Sequence, residues 1–411
     1  MLAQAAMYLP DARPGALSAF IEAAGRPLWK RRITEIQDLG RGIQRSARAT
    51  LQHHAVELAI DRIAGGMNRP MSCGERLLVA LVAEGAQVYA RLPKDGRARL
   101  RSALRTALSG PNTLVPLLHL FRTAALQRSR GFTVTYSGLA QDTPYDLLIE
   151  RGGAAAEIAC DTVSAEEGRD VHRGAFSQLV DRIDSDLQTW LAAHPGRYLL
   201  KLTLPQGLRR GQDAECHASL AALQARIREM LASSRRADHD EAAVLRLDPL
   251  MLAAAQAGQY SGEPSLMPSL RREFGSEAHL AVTASDGGVF VLAARAGREN
   301  EVAVAIRRRM FAIAPMRLSG TRPGILAMFI EDTDRTEWRE LREKLELEGE
   351  ARQFLANAAA RQVVAVTCAS RLELMGAVAP DAAPDGEFRF RNPSHPAAKA
   401  PALAPAVLSS I

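Results

Sequence analysis

Apolar residues recur at helical spacing across residues 16–130. Leu17, Phe20 and Ile21 begin one stripe; Leu51, Ala55 and Leu58, and then Val56, Ile60 and Ile63, build a broader one that stops at Gly65-Gly66. Steps of three and four residues put these side chains on one helix face, so the region is expected to be helical throughout. Ser72 followed by Glu75 is a capping-box pair, in which hydroxyl and carboxylate each accept the other residue's backbone N–H. It predicts the start of an apolar helix over 77–89. Further helices are expected over 96–108, before Gly110-Pro111, and over 113–127, before Gly131.

At Gly131 the period changes. Phe132, Val134 and Tyr136 alternate with polar residues, as on a half-buried strand. A second strand is expected over 144–150, a turn at Arg151-Gly152-Gly153, and a third strand over 154–163. Ser164 and Glu167 form another capping box, predicting a helix from there to 192. Strands at 197–204, 243–247, 325–330 and 363–367 alternate with helices over 214–232, 299–311 and 336–360. The segments 279–283 and 289–294 flank Asp286-Gly287-Gly288, a hairpin signal, while 205–213 and the Gly/Ser/Pro-rich 256–268 read as loops. The expected fold is α/β: a basic helical region over 1–130, a mixed-sheet domain over 131–375, and an Ala/Pro-rich disordered tail over 376–411.

Charge changes the picture. The chain of 411 residues carries a net +6, but residues 1–130 hold 20 Lys/Arg against 9 Asp/Glu, a net of +11, which leaves −5 for the rest. A basic half points to a polyanion or an acidic partner. Over 91–130, Arg91, Lys94, Arg97, Arg99, Arg101, Arg105, Arg122, Arg128 and Arg130 face a single acid, Asp95. Arg97, Arg101 and Arg105 fall four residues apart, on one helix stripe, and Lys30-Arg31-Arg32 beside Trp29 adds a second basic spot. Guanidinium groups bind phosphate through paired hydrogen bonds, so a row of them would give salt-dependent affinity for nucleic acid. The competing account is an ordinary solvated helix face; a protein partner or a second copy of the chain also stays open.

No apolar run reaches the roughly 18–20 residues that a bilayer-spanning helix needs, and residues 1–15 lack the pattern of a secretory signal. Cys73, Cys160, Cys216 and Cys368 contain no close pair, so neither a zinc knuckle nor a disulfide scaffold is expected, and a reducing cytoplasm is the expected location. His53-His54 lacks the nearby glutamate of a zinc-protease helix, and Gly40-Arg41-Gly42 lacks the third glycine that a dinucleotide fingerprint needs.

The segment richest in chemistry runs Pro144-Tyr145-Asp146-Leu147-Leu148-Ile149-Glu150, through the glycine turn, to Glu157-Ile158-Ala159-Cys160-Asp161. A tight hairpin would bring Asp146 and Glu157 together, and alternation puts Glu157, Ala159 and Asp161 on one face. Carboxylates on neighbouring strands suit Mg2+, which takes one or two of them with water and phosphate. At these residues the sequence resembles the PD-(D/E)XK nuclease superfamily. The resemblance implies a restriction-endonuclease-like α/β domain that hydrolyses a phosphodiester with Mg2+. Asp146 matches the first acid and Glu157 the second, with Asp161 as a possible third metal ligand. Ala159 stands where the family has its lysine; in the other register Ala159 replaces the acid and Asp161 the lysine. Lys201, on the next expected strand, would then supply the missing ammonium, or else pair structurally with an acid. Arg169 and His172, at the start of the helix expected after Ser164, would contact phosphate or sit on a solvated face. The alternative keeps the fold without the catalysis, as a module that binds nucleic acid or a protein.

Overall fold

A computed structural model describes residues 15–42, 44–66, 69–209, 214–251, 263–285 and 288–410. The chain is mixed α/β, with eleven strands among the described residues. In chain order they are β1 (Thr133–Thr135), β2 (Leu147–Arg151), β3 (Ala154–Ser164), β4 (Gly196–Leu204), β5 (Ala237–His239), β6 (Val244–Pro249), β7 (His279–Ser285), β8 (Gly288–Ala296), β9 (Gly324–Glu331), β10 (Val363–Ser370) and β11 (Phe388–Arg391). They form two sheets in two compact units, one from residues 1–39, 51–165 and 303–411, the other from 40–50 and 166–302.

The first unit opens with the expected helices, among them Ala16–Ala24, Ala55–Ala64, Cys73–Arg91, Lys94–Ala107 and Val115–Ser129. The Ser72 capping box is in place: the hydroxyl accepts the Glu75 N–H at 3.2 Å and the Glu75 carboxylate accepts the Ser72 N–H at 2.8 Å. The six-stranded sheet runs β1-β2-β3-β9-β10-β11; β3, β9 and β10 are parallel and the remaining pairings antiparallel. Alternate residues Leu147, Ile149, Ala156, Ile158, Ile325, Ala327 and Phe329 join one core with Leu118 and Phe121 of the helix Val115–Ser129. Strands β9 and β10 are buried along almost their whole length, which explains their unbroken apolar sequences: a parallel interior strand is covered on both faces.

In the second unit the order is β5-β6-β4-β8-β7, with β4 and β8 parallel and the other pairs antiparallel. One face packs Leu200, Leu202, Phe290 and Leu292 against Phe176, Leu179 and Ile183 of the helix Arg173–Ala193. The other packs Leu199, Val282 and Val291 against Leu266 and Leu270 of the helix Glu263–Phe274.

Several expectations are corrected. The single α/β domain over 131–375 is divided, because β4 to β8 pair only among themselves and the next strand beside β3 is β9. No helix starts after Ser164: residues Ala165–Gly168 make one 3-10 turn, and the helix begins at Arg173 with His172 as its N-cap. The Ser164 hydroxyl donates to Asp332 at 2.6 Å. The helix expected over 336–360 is two, Arg335–Glu343 and Glu346–Leu355, broken where Leu345 takes a left-handed φ of 58°. Residues 263–268 are helical where a loop was expected, and 256–262 lie outside the described residues. The 279–294 hairpin pairs as expected, with Asp286 and Gly287 outside the described residues, as are 210–213 of the loop before the helix Ala214–Ala232. The expected disordered tail is ordered over its described residues: β11 pairs with β10, and Ala382, Ala383, Ala398, Leu403, Ala406 and Val407 are buried. Among the described residues no helix is long and apolar enough to cross a membrane.

Candidate functional site

Asp146 immediately precedes β2, where its N–H donates to the Ile158 carbonyl at 3.0 Å. Glu157, Ala159 and Asp161 occupy the face of β3 opposite Ile158, since side chains alternate along a strand. Each acid meets a cation from the helix Val302–Arg317 or the loop after it. Asp146 accepts the Cys160 N–H at 2.7 Å and an Arg317 N–H at 2.7 Å. Asp161 holds Arg309 with both oxygens, one at 3.0 Å from Nη2 and the other on Nε. Glu157 is fully buried; it accepts the Ser319 backbone N–H at 2.9 Å and the Ser319 hydroxyl at 2.6 Å, with Arg322 Nη1 at 3.8 Å.

Burial pushes the Asp146 carboxyl up, the nearby Asp161 adds to the rise, and the charge of Arg317 opposes it. A carboxylate whose lone pairs are filled by a guanidinium is already neutralised, so a divalent cation would have to displace that guanidinium to bind. Among the described residues no group of three or more His, Cys, Asp or Glu is arranged to hold a metal ion. The expected consequence is that about 5 mM Mg2+ or Mn2+ moves the thermal midpoint no more than NaCl of equal ionic strength, because a ligand stabilises only what it binds. Scanning calorimetry checks this; a Mn2+-specific rise that Asp146→Ala removes would contradict it.

Three expected site residues lie elsewhere. Lys201 is on β4, in the sheet of the other unit, half-exposed, with its Nζ 3.2 Å from Asp248. The next strand in sequence is thus not the next strand in the sheet. Arg169 is buried at 3 % exposure with its guanidinium on Glu166, which removes it from any phosphate. His172 caps a helix with Nδ1 4.0 Å from Glu166; burial lowers its pKa against the pull of that acid, so near neutral pH it carries little charge for an anion.

The basic stripe is where the pattern put it. On the helix Lys94–Ala107, Gly96, Leu100, Leu104 and Ala107 are buried, so Arg97, Arg101 and Arg105 face outward. Gly96 sits so close to the Leu139 carbonyl that a Cβ there would lie 2.7 Å from it, which fixes the inner face. Arg101 donates to the Tyr89 hydroxyl and lies 5.6 Å from the centre of that ring. Arg91, Lys94, Arg97 and Arg105 are exposed and make no ion pair or side-chain hydrogen bond among the described residues. The other four cations of the cluster are structural. Arg99 donates to the Leu139 and Ala140 carbonyls, Arg122 to the Gly386 carbonyl, while Arg128 and Arg130 pair with Glu84 and Glu387, each at 2.6 Å. In the second basic spot Lys30 and Arg31 are exposed, whereas Arg32 is buried and ties the Gly110 carbonyl at 2.7 Å.

Sequence reasoning missed a polar cluster at the carboxyl ends of β3 and β9, the end of a parallel sheet where ligands commonly bind. Ser164 and His53 both meet Asp332, the latter with Nδ1 at 3.6 Å, and Thr113 donates to Glu331 at 3.3 Å. Asp332 takes a left-handed φ of 59°. The available signal was the pair Glu331-Asp332 directly after an apolar strand. The bond to Asp332 raises the His53 pKa, burial opposes it, and the Pro111 carbonyl, which accepts from Nε2 at 3.0 Å, together with Asp332 and Glu331 charge, adds to the rise. A histidine whose folded pKa lies above its unfolded value stabilises fully below about pH 6.5, and that share is lost as pH rises through the folded pKa. The difference in stability between the wild type and His53→Gln should therefore shrink from pH 6 to pH 9 in urea titrations; a difference that is constant or grows with pH would contradict the assignment.

Compared with known proteins, the chain matches no family model, no curated relative and no solved structure.

Proposed function

We propose that this chain binds nucleic acid through the outward face of the helix Lys94–Ala107 and does not cut it. The observation that carries this reading is the row Arg97, Arg101 and Arg105, flanked by Arg91 and Lys94, exposed in a unit whose other arginines in that stretch are consumed internally. An exposed row of unneutralised guanidinium groups costs self-repulsion that a phosphate backbone would relieve, with release of counterions. On this reading the hairpin is a diverged PD-(D/E)XK arrangement whose acids have become structural: Arg317, Arg309 and Ser319 with Arg322 take up Asp146, Asp161 and Glu157. Ala159 leaves the family's lysine position without an amine. Four cysteines outside any disulfide suit a reducing cytoplasm.

A second reading, a Mg2+-dependent phosphodiesterase, is favoured by Asp146 at the head of β2 and Glu157 on the paired β3. It requires Arg309 and Arg317 to leave their acids for substrate phosphate. Labelled duplex and single-stranded DNA and RNA, titrated in EDTA and then in Mg2+ or Mn2+, separate the two. The expected outcome is binding that persists in EDTA with every strand intact on a denaturing gel. Metal-dependent cleavage that Asp146→Ala abolishes would replace the first reading by the second.

A further inference from the structure

In the second unit, the end of the helix Arg173–Ala193, the start of β4 and the end of β6 enclose a small cavity of about 180 Å3. Its walls include Trp190, His194, Tyr198, Ser234, Arg236 and Asp248. The aromatic side is ordered by its own contacts. Trp190 stacks on His194 with ring centres 4.7 Å apart and planes at 18°, and meets Tyr198 edge to face at 4.6 Å, while Phe290 packs behind at 5.9 Å. Edge and face contacts of this kind hold an indole in one orientation, so the pocket is largely preformed.

The two charged side chains on its wall differ in how far they are already paired. The Arg236 side chain is exposed and makes no ion pair or side-chain hydrogen bond among the described residues. Asp248, the one acid on the wall, is already held by Lys201 at 3.2 Å and Arg246 at 2.9 Å. The charge on the wall left without an ion pair among the described residues is thus the Arg236 guanidinium, which favours an anionic group over a cationic one. The volume is near the roughly 150 Å3 that admits one benzene ring.

We propose that this cavity binds a small aromatic monocarboxylate, its ring against Trp190 and Tyr198 and its carboxylate toward the Arg236 guanidinium. Nothing in this assignment depends on the nucleic-acid reading, which concerns the other unit.

Tryptophan emission gives the readout. Of the three tryptophans, Trp29 and Trp338 are buried at 1 % and 0 % exposure, so Trp190 is the one a ligand reaches. Titration of the full chain with benzoate should give saturable quenching with a midpoint between about 10 µM and 1 mM, the range for a ligand of this size. Benzamidine, of the same shape and opposite charge, should bind at least about tenfold more weakly, and cyclohexanecarboxylate should lose the share due to ring stacking. Arg236→Ala, at an exposed position, should weaken benzoate about five- to tenfold. Trp190→Phe should remove the quenching while calorimetry still detects binding. The proposal is overturned by an unsaturated benzoate titration in a protein whose exposed emission component disappears in Trp190→Phe, by equal affinity for benzamidine, or by unchanged affinity in Arg236→Ala.

Discussion

Replacing Glu373 by alanine is expected to cost about 3–5 kcal/mol of stability, far more than a surface change. The carboxylate is completely buried and accepts four donors. One oxygen takes the Trp338 indole N–H at 3.0 Å and the Ala383 N–H at 2.9 Å; the other takes the Ser370 N–H at 2.7 Å and the Ser370 hydroxyl at 2.6 Å. Alanine would leave these donors buried without a partner, and each such group costs about 1–3 kcal/mol unless water enters. Glutamine keeps the shape but turns an N–H2 toward donors, so Glu373→Gln should lose roughly half as much. Because Ser370 ends β10, Trp338 belongs to the helix Arg335–Glu343 and Ala383 to the Ala/Pro-rich segment, the carboxylate pins that segment to the sheet. Urea denaturation checks the stability and limited proteolysis the segment: cleavage between 376 and 390 should accelerate in Glu373→Ala. A loss below about 1 kcal/mol would mean that these bonds are replaced by water.

That segment also shows where a sequence misleads. Alanine and proline in quantity resemble low complexity, yet Ala382, Ala383 and Ala398 are small enough to fill a close-packed interface, and composition carries no sign of the interface. The helices before Gly131 were legible because their apolar period and the Ser72–Glu75 box are local. So was the hairpin, whose Gly152 and Gly153 both adopt positive φ, conformations that side chains disfavour. What sequence could not supply were partners at long range. Arg309 lies 148 residues from Asp161 and Arg317 lies 171 from Asp146. The Ser164 hydroxyl is claimed by Asp332, 168 residues away, and so caps no helix. Lys201 can serve the acid site only if the next strand in sequence is also the next in the sheet; an inserted unit with its own sheet separates β3 from β9 in sequence, and Lys201 makes the structural pair with an acid that is its other reading. The acids on the hairpin are therefore visible in the sequence, while the groups that neutralise them are not.

The second large effect concerns binding. Arg97→Ala, Arg101→Ala and Arg105→Ala together should weaken nucleic-acid affinity about 10- to 100-fold near 100 mM salt, since each lost phosphate contact removes about one released counterion. All three side chains are exposed and their helix keeps its buried Leu100 and Leu104, so the fold should change by no more than about 0.5 kcal/mol per site. Removing Arg26, Arg235 and Arg352, also exposed but paired with Glu22, Glu229 and Glu348 at 2.6 Å, takes away the same three charges, serves as the control for net charge alone and should have a much smaller effect. Tyr89, beneath Arg101, would remain available to a base.

The most direct measurement is the dependence of binding on NaCl, in EDTA, for the wild type and the triple variant side by side. Plotted as logarithms, wild-type affinity should fall with a slope steeper than about −3, and the variant's slope should be shallower by roughly 2 to 3. Parallel lines for the two proteins, or an affinity indifferent to salt, would contradict a phosphate-binding face on the helix Lys94–Ala107.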